Sequence, residues 1–254
     1  MTHVTEIVSA IDGLLEPERF RDLGPNGLQV PPTDGEVSKV VTGVSAQRTL
    51  IERAVELRAD LVLVHHGLFW DFKPTGLTPV LAERLRPLFV HDVALAAYHV
   101  PLDAHPEVGN NAILCDRLGC ASHEPFGEFR GTPVGRAGTF AGEGVAADDL
   151  FARVRGVTGR EPLVQGEGPA RIRRIGVVSG SAADALDEAV AGGLDAFLTG
   201  EPREHVMADA REARIHFIAA GHYATETFGV RALGEWLAAR FGLEHEFVDV
   251  PNPV

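Results

Sequence analysis

Residues 40–66 read VVTGVSAQRTLIERAVELRADLVLVHH. The run 40–44 is mostly β-branched, residues 49–58 place Leu50, Ala54 and Leu57 on one helical face, and 61–64 is wholly apolar. Strand, helix and strand in that order make a βαβ unit. Strands with no polar face belong inside a largely parallel sheet covered by helices on both sides, so the chain is expected to be α/β. The alternation continues outward from this stretch. A helix is expected over 6–15, a turn at Pro25-Asn26-Gly27, a short extended piece at Leu28-Gln29-Val30, a helix over 80–89, a buried strand over 93–97 and a helix over 110–118.

The second half repeats the first. Laid against itself without gaps, the sequence sets Ala54-Val55 on Ala189-Val190 and Asp60 on Asp195, so 40–64 recurs as 175–199. A shorter offset then pairs Ala97 with Ala220, His99 with His222, Asp103 with Glu226 and Leu118-Gly119 with Phe241-Gly242. The difference in offset places an extra segment in the first half, at 68–77, where Gly, Pro and Lys break the periodicity. Two pseudo-repeated α/β halves follow, with mostly parallel sheets flanked by helices. Residues 1–128 carry a His-His and a His-x3-Asp motif, residues 129–254 a Thr-Gly-Glu and a Gly-His-Tyr-x-Thr-Glu motif, and the joint falls in the Gly-rich stretch 127–144.

A chain of 254 residues with 45% hydrophobic and 23% charged residues is folded rather than disordered. Its formal charge of -13 repels phosphate backbones, which argues against nucleic acid unless a local basic patch exists. The two cysteines, Cys115 and Cys120, form neither a zinc quartet nor a disulfide framework, and Cys115 is expected in the core. The first residues lack a signal-peptide pattern, and no apolar run approaches the ~18 residues of a membrane helix. A cytoplasmic protein without membrane contact is expected.

Histidine carries the chemistry. His65, His66, His99 and His222 sit at or just past strand ends, where ligands collect in open α/β sheets, with His205 a little further on. Neighbours on an ideal strand face opposite ways, so His65 and His66 share a site only if the chain bends, which Gly67 makes easy. His222 and Glu226 are spaced i, i+4 on one helix face, and His99 and Asp103 repeat the spacing, although Pro101 and Pro106 disfavour a regular helix there. Imidazole and carboxylate donors without thiolates suit a catalytic zinc, manganese, iron or cobalt site. Their number fits two divalent ions rather than one. His91, His105, His123, His216 and His245 are expected to be structural or exposed, whereas His205 is a candidate site-lining residue. Neither a dinucleotide fingerprint, a P-loop nor a nucleophile elbow is present.

The ordered motifs Asn26-Gly27-Leu28-Gln29-Val30, His65-His66-Gly67-Leu68-Phe69-Trp70, His99-Val100-Pro101-Leu102-Asp103, Thr199-Gly200-Glu201 and Gly221-His222-Tyr223-Ala224-Thr225-Glu226 resemble the GTP cyclohydrolase I type 2 family, also called the Nif-three-like family. The likeness spans almost the whole chain. It implies two intertwined α/β halves with a dinuclear metal site between them, and a homohexameric ring built from dimers. By motif, the resemblance assigns His65 and Asp103 to one ion, His66 and His222 to the other, and Glu226 to a bridge. His99 is taken as a residue behind these ligands or an occasional ligand itself, and Glu201, where the resemblance places no ligand, as lining the site with His205. Val100 and Pro101 depart from the commoner family pattern, and Asn110 stands where a second Gly is usual, changes that bear on local substrate contacts rather than on the metals.

The leading expectation is a metal-dependent hydrolase whose activated water attacks an electrophilic carbon or phosphorus of a small molecule, with a purine nucleotide suggested by the family name. The rival expectation is a metal-dependent ring-shaped assembly or regulatory module that engages single-stranded nucleic acid or partner proteins.

Overall fold

Strands that are apolar on both faces need helices above and below, and the chain builds two sheets on that principle. The computed structural model describes residues 2–254. Two units emerge, Met1–Leu102 with Gly229–Val250, and Asp103–Phe228 with Pro251–Val254.

In the first unit, Lys39–Ser45, Leu61–His66 and Ala94–Ala97 lie side by side in parallel. Glu244–Phe247 adds a parallel strand beside Lys39–Ser45, and Gly27–Val30 an antiparallel one beside Ala94–Ala97. Helices Arg48–Glu56 and Pro79–Val90 make the crossovers. Leu50, Ile51 and Ala54 of the first of these share a core with Val41, Val62, Val64 and Leu95. Helix Val4–Leu15 buries Val4, Ile7, Ile11 and Leu15, one face at i, i+3, i+4 spacing. The extra segment lies where the periodicity breaks: residues 67–78 have no helix or strand.

In the second unit, Arg174–Val177, Ala196–Thr199 and His216–Ala219 form the parallel centre. Antiparallel strands flank it, Leu163–Gln165 on one side and the hairpin Ser122–Phe129 with Thr132–Thr139 on the other. Helices Asn110–Leu118 and Ala147–Thr158 supply Leu114, Cys115, Leu118, Leu150 and Val154 to a core shared with Ile175, Val177, Leu198 and Ile218. Cys115 is therefore a core residue. Among the described residues no helix is long and apolar enough to cross a membrane.

The hairpin corrects the reading of 127–144 as a joint. Its two-residue loop, Arg130 at φ 50° and Gly131 at φ 90°, has the left-handed pair that matches strand twist. Inside it, a Cβ on Gly135 would stand 2.5 Å from the Val177 carbonyl oxygen, and one on Gly138 2.5 Å from the Cys120 sulfur. These glycines answer to close packing, and they erase the alternation by which a strand is recognised. The units accordingly do not part at 128/129. Ser122–Phe129 pairs within the second unit, and the chain returns to the first after Phe228.

The internal repeat extends to single hydrogen bonds. Asp60 Oδ2 accepts from the Ser38 and Lys39 amides at 2.8 and 2.9 Å, and Asp195 Oδ2 from the Arg173 and Arg174 amides at 2.7 and 3.0 Å. Each aspartate thus caps the start of the strand beside its own. The amide of Asp60 donates to Lys39, that of Asp195 to Arg174, both at 3.0 Å. Left-handed residues recur in step, Arg58 with Gly193 and Asp92 with Arg214. Replacing either aspartate by Ala leaves strand-start amides without their acceptor and should cost about 1–3 kcal/mol. Chemical denaturation of Asp60→Ala and Asp195→Ala measures it, with similar losses expected from both.

Candidate metal centre

Three imidazoles meet in the first unit. His65 and His66 end the strand Leu61–His66, and His99 follows the strand Ala94–Ala97. Their ring centroids lie 4.7 Å (His65 to His66), 4.9 Å (His65 to His99) and 5.5 Å (His66 to His99) apart, and each offers a ligand nitrogen within 4.8 Å of the others. The strand keeps its register to its last residue, with Val64 opposite Gly43 and His66 opposite Ser45, so the bend expected from Gly67 does not fall within the paired strand.

Each ring is held by its Nδ1. His65 Nδ1 donates to the Tyr98 carbonyl at 3.0 Å, His99 Nδ1 to Asp22 Oδ1 at 2.6 Å, and His66 Nδ1 lies 3.0 Å from Ser45 Oγ. A hydrogen bond from Nδ1 sets the tautomer in which Nε2 carries the lone pair, as metal-binding imidazoles require. Asp22 gives no signal in the sequence, since its partner His99 lies 77 residues on. It also accepts from the Leu23 and Val100 amides at 2.6 and 3.0 Å and from the Asn26 amide group at 2.9 Å. Burial pushes its carboxyl up, yet His99 foremost, with Asn26 and the Leu23 amide, brings it down to about 2.

The Asn26-Gly27-Leu28-Gln29-Val30 motif frames this cluster. Asn26 Oδ1 accepts from the His99 amide at 2.8 Å, and Gln29 Oε1 from the Leu68 amide at 2.8 Å. Gly67 lies so close to Gln29 that a Cβ there would strike its amide.

In the second unit the acidic residues gather around a corner at Ser179 and Gly180. Asp103 Oδ1 accepts from Asn110 Nδ2 at 2.8 Å and from Ser179 Oγ at 3.1 Å. The short helix Val100–Ala104 forms despite Pro101, which sits in its first turn where a proline loses no hydrogen bond. Gly180, at φ 68°, leaves the space that a Cβ would need against Glu226 Oε1, and its amide donates to Thr225 Oγ1 at 3.1 Å. His222 Nε2 lies 3.1 Å from Glu226 Oε2, and its Nδ1 2.5 Å from Glu201 Oε1. Burial lowers the His222 imidazolium, and Glu226 first and Glu201 second more than compensate, holding it at about 9. Glu226 itself is buried, at 2% exposure.

Sequence reasoning missed Asp22, Ser179 and Gly180, whose partners are distant in the chain, and gave Asn110 no part in holding Asp103. His205 is exposed and faces Asp184 Oδ1 at 3.5 Å. Of the five histidines expected to be structural or exposed, His91 is exposed, and His105 accepts from the Glu107 and Val108 amides. His216 donates to the Pro169 carbonyl, His245 meets Thr42 Oγ1, and His123 lies 3.5 Å from Asp116.

The donors fit divalent cations: imidazoles, two of which donate from Nδ1 and leave Nε2 as the ligand atom, and carboxylates, of which Asp103 is held by neutral donors. His65, His66 and His99 could hold one from the first unit, and Asp103, His222 and Glu226 are the candidate ligands of the second.

Known proteins share this arrangement of sequence and fold. A Pseudomonas aeruginosa protein named GTP cyclohydrolase 1 type 2 homolog is 45% identical over 250 residues, 98% of each chain. Among solved structures, the protein ybgI, described as of unknown function, superposes with a TM-score of 0.93 at 39% identity over 100% of both chains. TTHA1606 from Thermus thermophilus gives 0.90 at 37% identity, again over 100% of both. The model of the Duf34/NIF3 (NGG1p interacting factor 3) family matches residues 2–253, and the chain belongs to that family.

Proposed function

We propose that this protein is a hydrolase dependent on two divalent metal ions, acting on a small molecule of the purine nucleotide class. The observation that carries the reading is the cluster of three imidazoles in which His65 and His99 donate from Nδ1 to acceptor oxygens, the tautomer whose Nε2 suits a cation, with His66 beside them. The name of the Pseudomonas relative supports the reaction class and the purine. In this proposal His65 and Asp103 serve one ion, His66 and His222 the other, and Glu226 both.

When bound, such ions polarise an electrophile and acidify water. The chain's own residues orient and tune. Tyr98, Ser45 and Asp22 fix the ring planes of His65, His66 and His99, Glu201 does so for His222, and Asn110 and Ser179 hold Asp103 through its Oδ1. Negative charge on Glu201 raises the basicity of the His222 imidazole.

Three outcomes test this. Glu226→Gln keeps the shape and removes the charge, so it should lose most of both ions by elemental analysis and abolish formate release from GTP, with circular dichroism unchanged. A variant that keeps two ions at wild-type affinity would overturn the shared-ligand role. Ser45→Ala leaves every ligand in place and removes the partner of His66 Nδ1, so metal affinity should fall about 10–100-fold. Competition with a chromophoric chelator measures that loss.

The third outcome concerns pH. His222 is raised from 6.5 to about 9 in the metal-free chain, so the stability it lends is complete below pH 6.5 and is lost as pH rises through about 9. A cation must displace that proton. Metal affinity should therefore climb by about tenfold per pH unit toward pH 9 and then level. In Glu201→Gln the levelling should come at lower pH.

A further inference from the structure

The first unit holds a second feature beside its histidines. The irregular segment 67–78 and the helix Pro79–Val90 enclose a cleft of about 860 Å³, lined among others by Phe69, Trp70, Lys73, Leu81 and Arg84. That volume suits a single small ligand. We propose that this cleft binds a planar heteroaromatic ring bearing a phosphate, as in a nucleoside monophosphate, and delivers it to the histidine cluster. The proposal rests on the hydrolase reading for its delivery step and on the cleft alone for binding.

The ring-binding wall is built in advance. The indole N–H of Trp70 donates to the Gly67 carbonyl at 3.1 Å, and the amide of Asp71 to the Leu23 carbonyl at 2.7 Å, which anchors the segment at its start. Gly24 comes so near that a Cβ there would strike the Phe69 carbonyl oxygen. Phe72 stacks on Trp70 from outside the cleft lining, with centroids 5.5 Å apart and planes at 29°. An aromatic surface fixed before the ligand arrives binds a planar ring without an ordering cost.

Trp70 also ties the cleft to the metal ligands. Its ring meets His99 edge-on at 5.1 Å and His66 at 5.9 Å. A ring seated along Trp70 is therefore one side chain away from two imidazoles.

Charge supplies the phosphate end. The chain has only two lysines, Lys39 and Lys73. Lys39 lies 3.5 Å from Glu246, whereas among the described residues neither Lys73 nor Arg84 makes an ion pair. Both line the cleft, against one carboxylate, Asp71. A net positive cleft on a chain of charge -13 selects an anion locally. Aromatic and cationic side chains together also suit single-stranded nucleic acid. A bounded cleft favours the mononucleotide over a strand, which needs a continuous groove.

Trp70 and Trp236 are the chain's two tryptophans, so full-length protein carrying Trp236→Phe reports on Trp70 by fluorescence. Titration with GMP should quench that emission. Guanosine and inorganic phosphate, each carrying half of the recognised chemistry, should bind at least tenfold more weakly, and Lys73→Glu with Arg84→Glu should weaken GMP at least tenfold while leaving the circular dichroism unchanged. No response to GMP, or equal affinity in the charge-reversed protein, overturns the proposal. So does oligothymidylate binding that tightens with length and exceeds GMP, which would assign the surface to strands instead. Binding is read without turnover. Quenching by GMP in a protein that hydrolyses nothing removes only the hydrolase reading, and metal-dependent hydrolysis without GMP binding removes only the cleft.

Discussion

An imidazole gives a cation one nitrogen, and the nitrogen it gives is set by what the other one touches. His65, His99 and His222 each have Nδ1 against an oxygen from a residue distant in sequence, and His66 has Nδ1 against Ser45 of the adjacent strand. The oxygens of Ser45, Tyr98 and Glu201 sit at strand ends or just beyond them, and that of Asp22 in the segment that leads into Gly27–Val30. The sheets therefore do more than carry the histidines: their ends supply the partners that orient the rings. Asp60 and Asp195 serve the same order one step earlier, fixing where the strands beside them begin.

Much of this was legible in the sequence because it is local. Apolar runs and helical spacing placed strands at 40–44, 61–64 and 93–97, observed at 39–45, 61–66 and 94–97, with the helices between them, and the gapless match set Asp60 on Asp195, residues that make the same hydrogen bonds. The adjacent histidines and the His222 to Glu226 spacing marked the ligand candidates. What stayed hidden depends on contacts distant in sequence. Ser179 meets Asp103 across 76 positions, and Gly180 owes its identity to the carboxylate of Glu226 rather than to a turn signature. The hairpin 122–139 was read as a joint because Gly135 and Gly138 yield to crowded neighbours and so break the alternation. His205 drew attention by its position after a strand, yet its side chain is exposed and faces Asp184.

Duplication left the two units with unequal parts. Where the first has His66 beside Ser45, the second has Glu201, and it uses that carboxylate to hold His222. The first unit alone carries the long segment 67–78 and, with it, the aromatic and cationic cleft. One unit thus adds a feature suited to choosing a ligand, while the other adds the carboxylates that a cation requires.

The most direct test of this account is anomalous diffraction at the metal edge from crystals of the protein grown with zinc or cobalt. Two ions per chain, ligated through Nε2 of His65, His66 and His222 with Nδ1 still held by Tyr98, Ser45 and Glu201, is the result expected. Ligation through Nδ1, or full-occupancy crystals without an ion at any of these imidazoles, would contradict it.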